Sequence, residues 1–270
     1  MNKSEREEFI KKIKKYENPP EMVRLFSNEE SDAIFNKVLE TIKDYEGNNY
    51  EFKDKSLTKY FKQPELKPFV DFILDRFQSH LKLKVKLSTS YLFFSNSIPV
   101  TIHTDGGIRD GIPVFKSAFL PLHVNYKGDI DYFTNNDFNV EKNVVTIGFH
   151  QRHYFERIFI TYGCDEDVSD VKISTDVCVP DKWWNIIENS FDNFSIDEKI
   201  ALREFSDSFR GDIDQIKKHF RGFSIQSMFP NKKGHVIFFD NSQFHTSGSF
   251  INKNATEKYG IRFDLRLDEY

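Results

Sequence analysis

Nowhere does this sequence run to about 18 consecutive apolar residues, and its N-terminal stretch MNKSEREEFIKKIKKYENPP lacks the apolar segment of a secretory leader. These absences predict a soluble, cytoplasmic protein with no signal peptide and no membrane helix. Cysteine is nearly missing: Cys164 and Cys178 stand alone, without a CxxC pair, which excludes a disulfide framework and a cysteine zinc site and leaves two small buried residues. Charge of one sign is also lacking. With a net charge of −4 no global positive field draws the chain to nucleic acid or to an anionic membrane. The basic stretches Lys11-Lys12-Ile13-Lys14-Lys15 and Lys82-Leu83-Lys84-Val85-Lys86 read as solvated faces offset by acids elsewhere. GxSxG, a P-loop and a GxGxxG beside a strand are all absent, which sets aside the common hydrolase and nucleotide-binding readings.

What the chain has in abundance is aromatic bulk. Its 29 Phe and 11 Tyr, within a hydrophobic fraction of 39%, supply a core for a globular fold of 270 residues. Residues 1–82 read as mainly helical. Ser27 followed by Glu30 has capping-box spacing, with Ile34, Phe35, Val38, Leu39 and Ile42 recurring behind it at helical period. A second helix is predicted from Glu65 to Leu81, with Pro68 in its first turn and Phe69, Phe72, Ile73, Phe77 and Leu81 on its apolar side.

From residue 83 the texture changes to short β-rich stretches punctuated by Gly, Asn, Asp and Pro. Strands are predicted at Leu87–Phe94, Phe115–Asn125, Asp131–Phe133 and Val144–Phe149, with Arg157–Tyr162 and Val171–Ile173 as further candidates. These make a first β half, residues 83–175. Residues 176–223 read as a helical insertion, carrying a second capping-box spacing at Ser195 and Glu198 and then apolar Ile200, Leu202, Phe205, Phe209, Ile213, Ile216 and Phe220. A second β half, residues 224–270, holds Ile225–Phe229, Gly234–Asp240 and Lys258–Leu267. The whole is read as one domain, and no internal repeat or low-complexity linker divides it.

The residues that carry chemistry are spread over both halves. In His103-Thr104-Asp105 the first and third side chains point to one side of an extended chain, so an imidazole and a carboxylate can converge as half of a metal site. The alternative is a loop histidine beside a turn-forming aspartate. Beyond the strand Gly234–Asp240 and a connection at Asn241–Phe244 comes His245-Thr246-Ser247. A third ligand at His245 would complete two imidazoles and one carboxylate on one face of an octahedral ion, with three positions left open, a geometry suited to non-haem Fe(II). Further on, Tyr259, Ile261, Phe263, Leu265 and Leu267 share one strand face and Lys258, Arg262, Asp264 and Arg266 the other. A charged strand face ordinarily meets solvent.

The order HxD, a distant His, then a basic residue on a following strand resembles the Fe(II)/2-oxoglutarate-dependent oxygenase superfamily, over about residues 85 to 267. Lys233-Gly234-His235-Val236-Ile237-Phe238-Phe239-Asp240 looks like the element that precedes the family's distal His. Leu122 to Phe133 is similar to the strand, Gly turn and strand that follow HxD, and Met22 to Glu30 looks like the lead into the family's first helix. The resemblance implies an α+β fold: a double-stranded β-helix of jelly-roll, cupin-like form, with N-terminal helices and a helical insertion between the two halves of its core. It implies Fe(II) held by His103, Asp105 and His245, which would also be the catalytic centre, with 2-oxoglutarate and O₂ as cosubstrates. Arg262 would pair the far carboxylate of 2-oxoglutarate, a task suited to a guanidinium because it stays charged and can grip through two parallel hydrogen bonds. Lys258 and Arg266, on the same face, are rivals, while Tyr91, Asn125 and Ser247 could add a hydrogen bond to the cosubstrate. The implied reaction is oxidative decarboxylation to succinate and CO₂ coupled to oxidation of a substrate C–H bond, usually hydroxylation.

The substrate is not readable here, though a small molecule or a protein side chain is favoured over nucleic acid, and the oligomeric state is equally silent. The stretch between the two motifs is longer than the family often shows, and the helical insertion explains the excess, as a lid, a substrate platform or structural padding. Trp183 and Trp184 at its start could stack on a substrate, with one of the two expected in the core. His150, His153 and Glu156 are too closely set on one segment to specify a second metal cluster. Two other readings stay open: a non-catalytic jelly-roll binding or structural protein, and a jelly-roll metalloenzyme that needs no 2-oxoglutarate.

Overall fold

Ser27 closes the start of helix α2 (Asn28–Glu46) as its spacing predicts: its side chain accepts from the Glu30 amide at 3.1 Å, and Glu30 Oε2 accepts from the Ser27 amide at 2.8 Å. Before it lie helix α1 (Lys3–Lys14) and a short strand β1 (Glu21–Arg24). After it come β2 (Lys55–Ser56), α3 (Thr58–Phe61), a 3₁₀ turn at Pro64–Leu66, and α4 (Lys67–Leu81) with Pro68 in its first turn. The computed structural model describes residues 3–47, 55–95, 102–109, 112–128, 131–154, 197–209, 223–249 and 251–268. Among the expectations, Arg157–Tyr162, Val171–Ile173, Ser195, the stretch 213–220, Cys164, Cys178, Trp183, Trp184 and Glu156 lie outside the described residues.

The remaining elements are mostly strands: β3 (Val85–Ser95), β4 (Ile108–Arg109), β5 (Ile112–Pro113), β6 (Lys116–Tyr126), β7 (Val145–Arg152), β8 (Ile225–Pro230), β9 (His235–Asp240), β10 (Gln243–Ser247) and β11 (Ala255–Leu267). Helix α5 (Glu198–Phe209) stands between β7 and β8. A six-stranded sheet runs β1-β9-β6-β11-β3-β2, a three-stranded sheet runs β10-β7-β8, β4 and β5 form a hairpin, and the ladders are antiparallel. Strands of the second half therefore interleave with those of the first, since β9 lies beside β6 and β11 between β6 and β3. That interleaving brings residues far apart in sequence to one place. Among the described residues no helix is long and apolar enough to cross a membrane.

One face of the large sheet is covered by α1, α2 and α4. Phe77 of α4 meets Phe238 of β9 and Phe263 of β11 edge-on, at ring separations of 5.5 Å and 5.4 Å. The odd-numbered residues Tyr259 to Leu267 join this core with Ile34, Val38 and Ile73, as the alternation along β11 requires. Its other face turns toward the small sheet. Gly234 fixes where the N-terminal segment docks: its φ is +76°, a Cβ there would run into the Phe26 carbonyl, and its own carbonyl accepts from the Leu25 and Phe26 amides at 3.0 Å each.

The first 82 residues are mainly helical, with Glu21–Arg24 and Lys55–Ser56 recruited as edge strands by β9 and β3. Three expectations need correction. Asp131–Phe133 is a turn, not a strand: Asp131 Oδ1 accepts from the amides of Phe133 and Thr134 at 2.9 Å and 3.0 Å, a local bond that competes with sheet pairing. Helix α5 starts at Glu198 and is capped by Asp197, whose side chain accepts from the Lys199 and Ile200 amides at 2.9 Å and 3.2 Å, so Glu198 is not the third residue of a box begun by Ser195. The connection after β9 is shorter than Asn241–Phe244, since β10 already begins at Gln243.

Candidate metal centre

His103 lies on the chain between β3 and β4, and His245 in the middle of β10; their backbones form an isolated bridge, each amide bonding the other's carbonyl at 3.0 Å and 2.9 Å. Asp105 is held by its amide on the Asn241 carbonyl at 3.1 Å. The three side chains offer ligand atoms all within 4.8 Å of one another, in a buried place. His103 Nε2 stands 3.7 Å from Asp105 Oδ1, and His245 Nε2 stands 3.5 Å from Asp105 Oδ2. The HxD pair and the distal histidine are thus brought together in one buried place.

The tautomer of His245 is set by its surroundings. Its Nδ1 lies 3.0 Å from the Gln243 carbonyl, which can only accept, so Nδ1 carries the proton and the Nε2 lone pair faces Asp105. Gln243 is braced in turn by donating to the Phe149 carbonyl and to Gln226 Oε1, at 2.7 Å each. The Phe239 ring lies 4.1 Å from the His245 ring and limits its swing. Two imidazoles and a carboxylate converging this way match the donor set of a divalent first-row metal, and the residues fit Fe(II).

The charged face of β11 does not meet solvent. Lys258, Arg262 and Asp264 are buried along it, because it forms one wall of the space between the sheets. Arg262 Nη1 donates to Asp105 Oδ1, its Nε lies 3.0 Å from Asp264 Oδ1, and its guanidinium carbon stands 5.4 Å over the Phe93 ring. Burial alone would weaken its hold on a proton, but the Asp105 and Asp264 carboxylates outweigh burial and raise its pKa above the ordinary value. Ser117 Oγ lies 2.9 Å from Asp105 Oδ2, 2.8 Å from Asn241 Oδ1 and 3.2 Å from Asp264 Oδ1, while Thr89 donates to Asp264 Oδ2. Sequence reading missed Ser117, Thr89 and Asn241, and named Asp264 only as part of a face; the available signal was its place two residues from Arg262 on one side of a strand.

Beside the triad a small cleft of about 50 Å³ is lined by Phe93, Phe119 and Phe239 together with Ser95, Thr146, Ser247 and Lys258. Lys258 Nζ donates to Ser247 Oγ at 2.5 Å and stands 5.7 Å from the Phe119 ring centroid. Lys258 and Ser247 are therefore at the cleft, and Arg262 borders it while engaged with Asp105. Tyr91 sits across from Arg262 on β3, its ring 4.9 Å from Phe93.

Two candidates fall away. Asn125 shares the opposite face of β6 with His123, accepting from that ring at 2.7 Å and donating to Glu257, because a bulge near Leu122 resets the alternation. Arg266 pairs with Lys86 at the far end of β11, away from the cleft. His150 is exposed and His153 buried, and neither joins a metal-binding group among the described residues.

No family model and no curated protein matches this sequence. Solved structures to which the chain is similar include the non-heme alpha-ketoglutarate-dependent carbocyclase SnoK from nogalamycin biosynthesis, with TM-score 0.46 and 13% identity over 93% of this chain and 82% of that one. They include HygX from Streptomyces hygroscopicus with nickel and 2-oxoglutarate bound, with TM-score 0.45 and 9% identity over 100% and 88% of the two chains. A third is the viral collagen prolyl hydroxylase vCPH from Paramecium Bursaria Chlorella virus-1, with TM-score 0.40 and 11% identity over 93% and 91%. These three proteins are what this chain is similar to.

Proposed function

We propose that this chain is an Fe(II)- and 2-oxoglutarate-dependent dioxygenase built on a double-stranded β-helix, and that it hydroxylates a C–H bond of a small molecule or a protein side chain. The observation that carries this reading is the buried convergence of His103, Asp105 and His245, delivered by the β3–β4 connection and by β10 with ligand atoms within 4.8 Å of one another. When bound, the ion supplies the redox chemistry that couples O₂ and 2-oxoglutarate to succinate, CO₂ and an oxidised substrate. The protein's own work is to hold, orient and exclude water. His245 Nδ1–H on the Gln243 carbonyl fixes the ligand tautomer, and the three phenylalanine rings keep the cleft apolar.

Within that reading the far carboxylate of 2-oxoglutarate belongs to Lys258 and Ser247, not to Arg262. An ammonium and a hydroxyl 2.5 Å apart in the lining of an apolar cleft are a ready carboxylate site, whereas Arg262 is already committed to two carboxylates of the protein. The test is anaerobic addition of Fe(II) and then 2-oxoglutarate to the apoprotein, following the weak visible charge-transfer band of the chelate, with His245→Ala as control. A band in the wild type that vanishes in the variant supports the reading. Metal binding without any response to 2-oxoglutarate would leave a jelly-roll metalloenzyme of another kind, and folded protein that takes neither would leave a non-catalytic binding or structural protein.

A further inference from the structure

The guanidinium of Arg262 is turned toward the metal-ligating carboxylate, and the groups around it explain why it stays there. Its fork spans two acids: Nη1 reaches Asp105 Oδ1, while Nε and Nη2 lie 3.0 Å and 3.5 Å from the two oxygens of Asp264. Asp264 is itself fixed, by Thr89 on Oδ2 and by Ser117 at 3.2 Å from Oδ1. Asp105 is held on both oxygens, Oδ1 by Arg262 and Oδ2 by Ser117 at 2.9 Å. A carboxylate torsion is otherwise broad and soft. Here it has no freedom to turn.

Were Arg262 to leave for a cosubstrate, Asp105 and Asp264 would face one another across Ser117 with no cation between them. Two buried carboxylates so placed repel strongly. We propose that Arg262 and Asp264 are positioning residues that act through Asp105: the pair clamps the ligand's orientation and, because one is a cation and the other an anion, sets in opposite senses the electrostatic field at the metal. This rests on the reading that His103, Asp105 and His245 hold the ion. An arginine is needed because a lysine is a point charge that cannot bridge both acids at once.

The test uses full-length protein loaded with Co(II), read by its d–d absorption without 2-oxoglutarate, and then the Fe-loaded protein, read by its midpoint potential. R262Q removes a positive charge and favours the ferric ion, so its potential falls. D264N removes a negative charge and its potential rises. Each shift corresponds to about a tenfold change in the relative affinity for ferric over ferrous ion, about 59 mV for one electron. R262K keeps the charge and loses the fork, so its potential stays near wild type while its Co(II) spectrum departs from it. Shifts of the same sign, or none in folded R262Q and D264N, overturn the clamp. Should R262Q fail to fold, R262K decides: a wild-type Co(II) spectrum overturns the clamp and an altered one supports it. If R262Q abolishes 2-oxoglutarate binding at an unchanged potential, the arginine serves the cosubstrate and this inference fails while the metal reading stands. If wild-type protein takes up no Co(II), both fall together.

Discussion

Replacing Lys258 with methionine keeps the length and apolar stem of the side chain and deletes its charge. Lys258 donates to Ser247 Oγ in the lining of the cleft, so in the proposed complex its ammonium is the charged partner of the cosubstrate's far carboxylate. A hydrogen bond to a charged group is worth about 1.5–3 kcal/mol. With each 1.4 kcal/mol a factor of ten, K258M should bind 2-oxoglutarate about 10- to 100-fold more weakly. S247A, which removes a neutral donor, should lose only about fivefold. Affinity for the metal alone should hold in both variants, because the cation that grips Asp105 is Arg262. Anaerobic titration of 2-oxoglutarate into Fe(II)-loaded protein, followed at the charge-transfer band, measures each constant. Wild-type binding by K258M combined with loss in R262Q would refute the reasoning and return the carboxylate to Arg262.

Three further outcomes follow from the packing and the charges. S27A removes the cap of α2 and should cost about 1 kcal/mol in urea unfolding; no measurable loss would mean that Glu30, held also by Arg76 at 2.8 Å, secures the helix start alone. Lys253 lies 2.9 Å from Glu204 Oε1 in a buried pair that docks α5, and Arg203 Nε reaches the same oxygen at 2.7 Å, so K253M should cost about 2 kcal/mol, the worth of one hydrogen bond to a charged group, with Arg203 still holding the carboxylate; no loss in urea unfolding counts against this. Burial lowers the pKa of His235, with Arg24 and Lys232 adding to it, so the unfolded chain binds the proton more readily. Its stability contribution is complete above about pH 6.5 and is lost as pH falls through the lower folded value, and H235N should flatten that part of the melting-temperature profile; identical profiles would dismiss the effect.

The parts of this fold that the sequence discloses are those written in local chemistry. Ser27 and Glu30 satisfy each other within one turn, Phe77 and its neighbours recur at helical period, and β11 alternates residue by residue, so all three are readable without a partner. His103 and Asp105 are legible for the same reason. The strands β1 and β2 are not, because only the exposed edges of β9 and β3 make them strands. The charged face of β11 invites the wrong reading as well, since alternation tells which residues share a side but not which side faces a cavity. Ser117, Thr89 and Asn241 come from β6, β3 and the β9–β10 turn; no spacing joins them, and only the interleaving of the two halves does. Sequence rules fail here where polar residues are buried for a purpose.

Gly260 sits between Lys258 and Arg262 on the same side of β11, and a Cβ there would run into the Phe119 ring. The ring therefore lies as an apolar partition between two cations. If one of them orients the metal's carboxylate and the other receives the cosubstrate's, each anion has its own address and neither cation can be borrowed by the other. The strand carrying both is hydrogen-bonded along β6 on one side and β3 on the other, so the interval between them cannot stretch. Backbone repeat then keeps the two cations at a fixed interval, so in the proposed complex the metal's carboxylate and the cosubstrate's far carboxylate are held apart by the spacing of a strand more than by the shape of any single side chain.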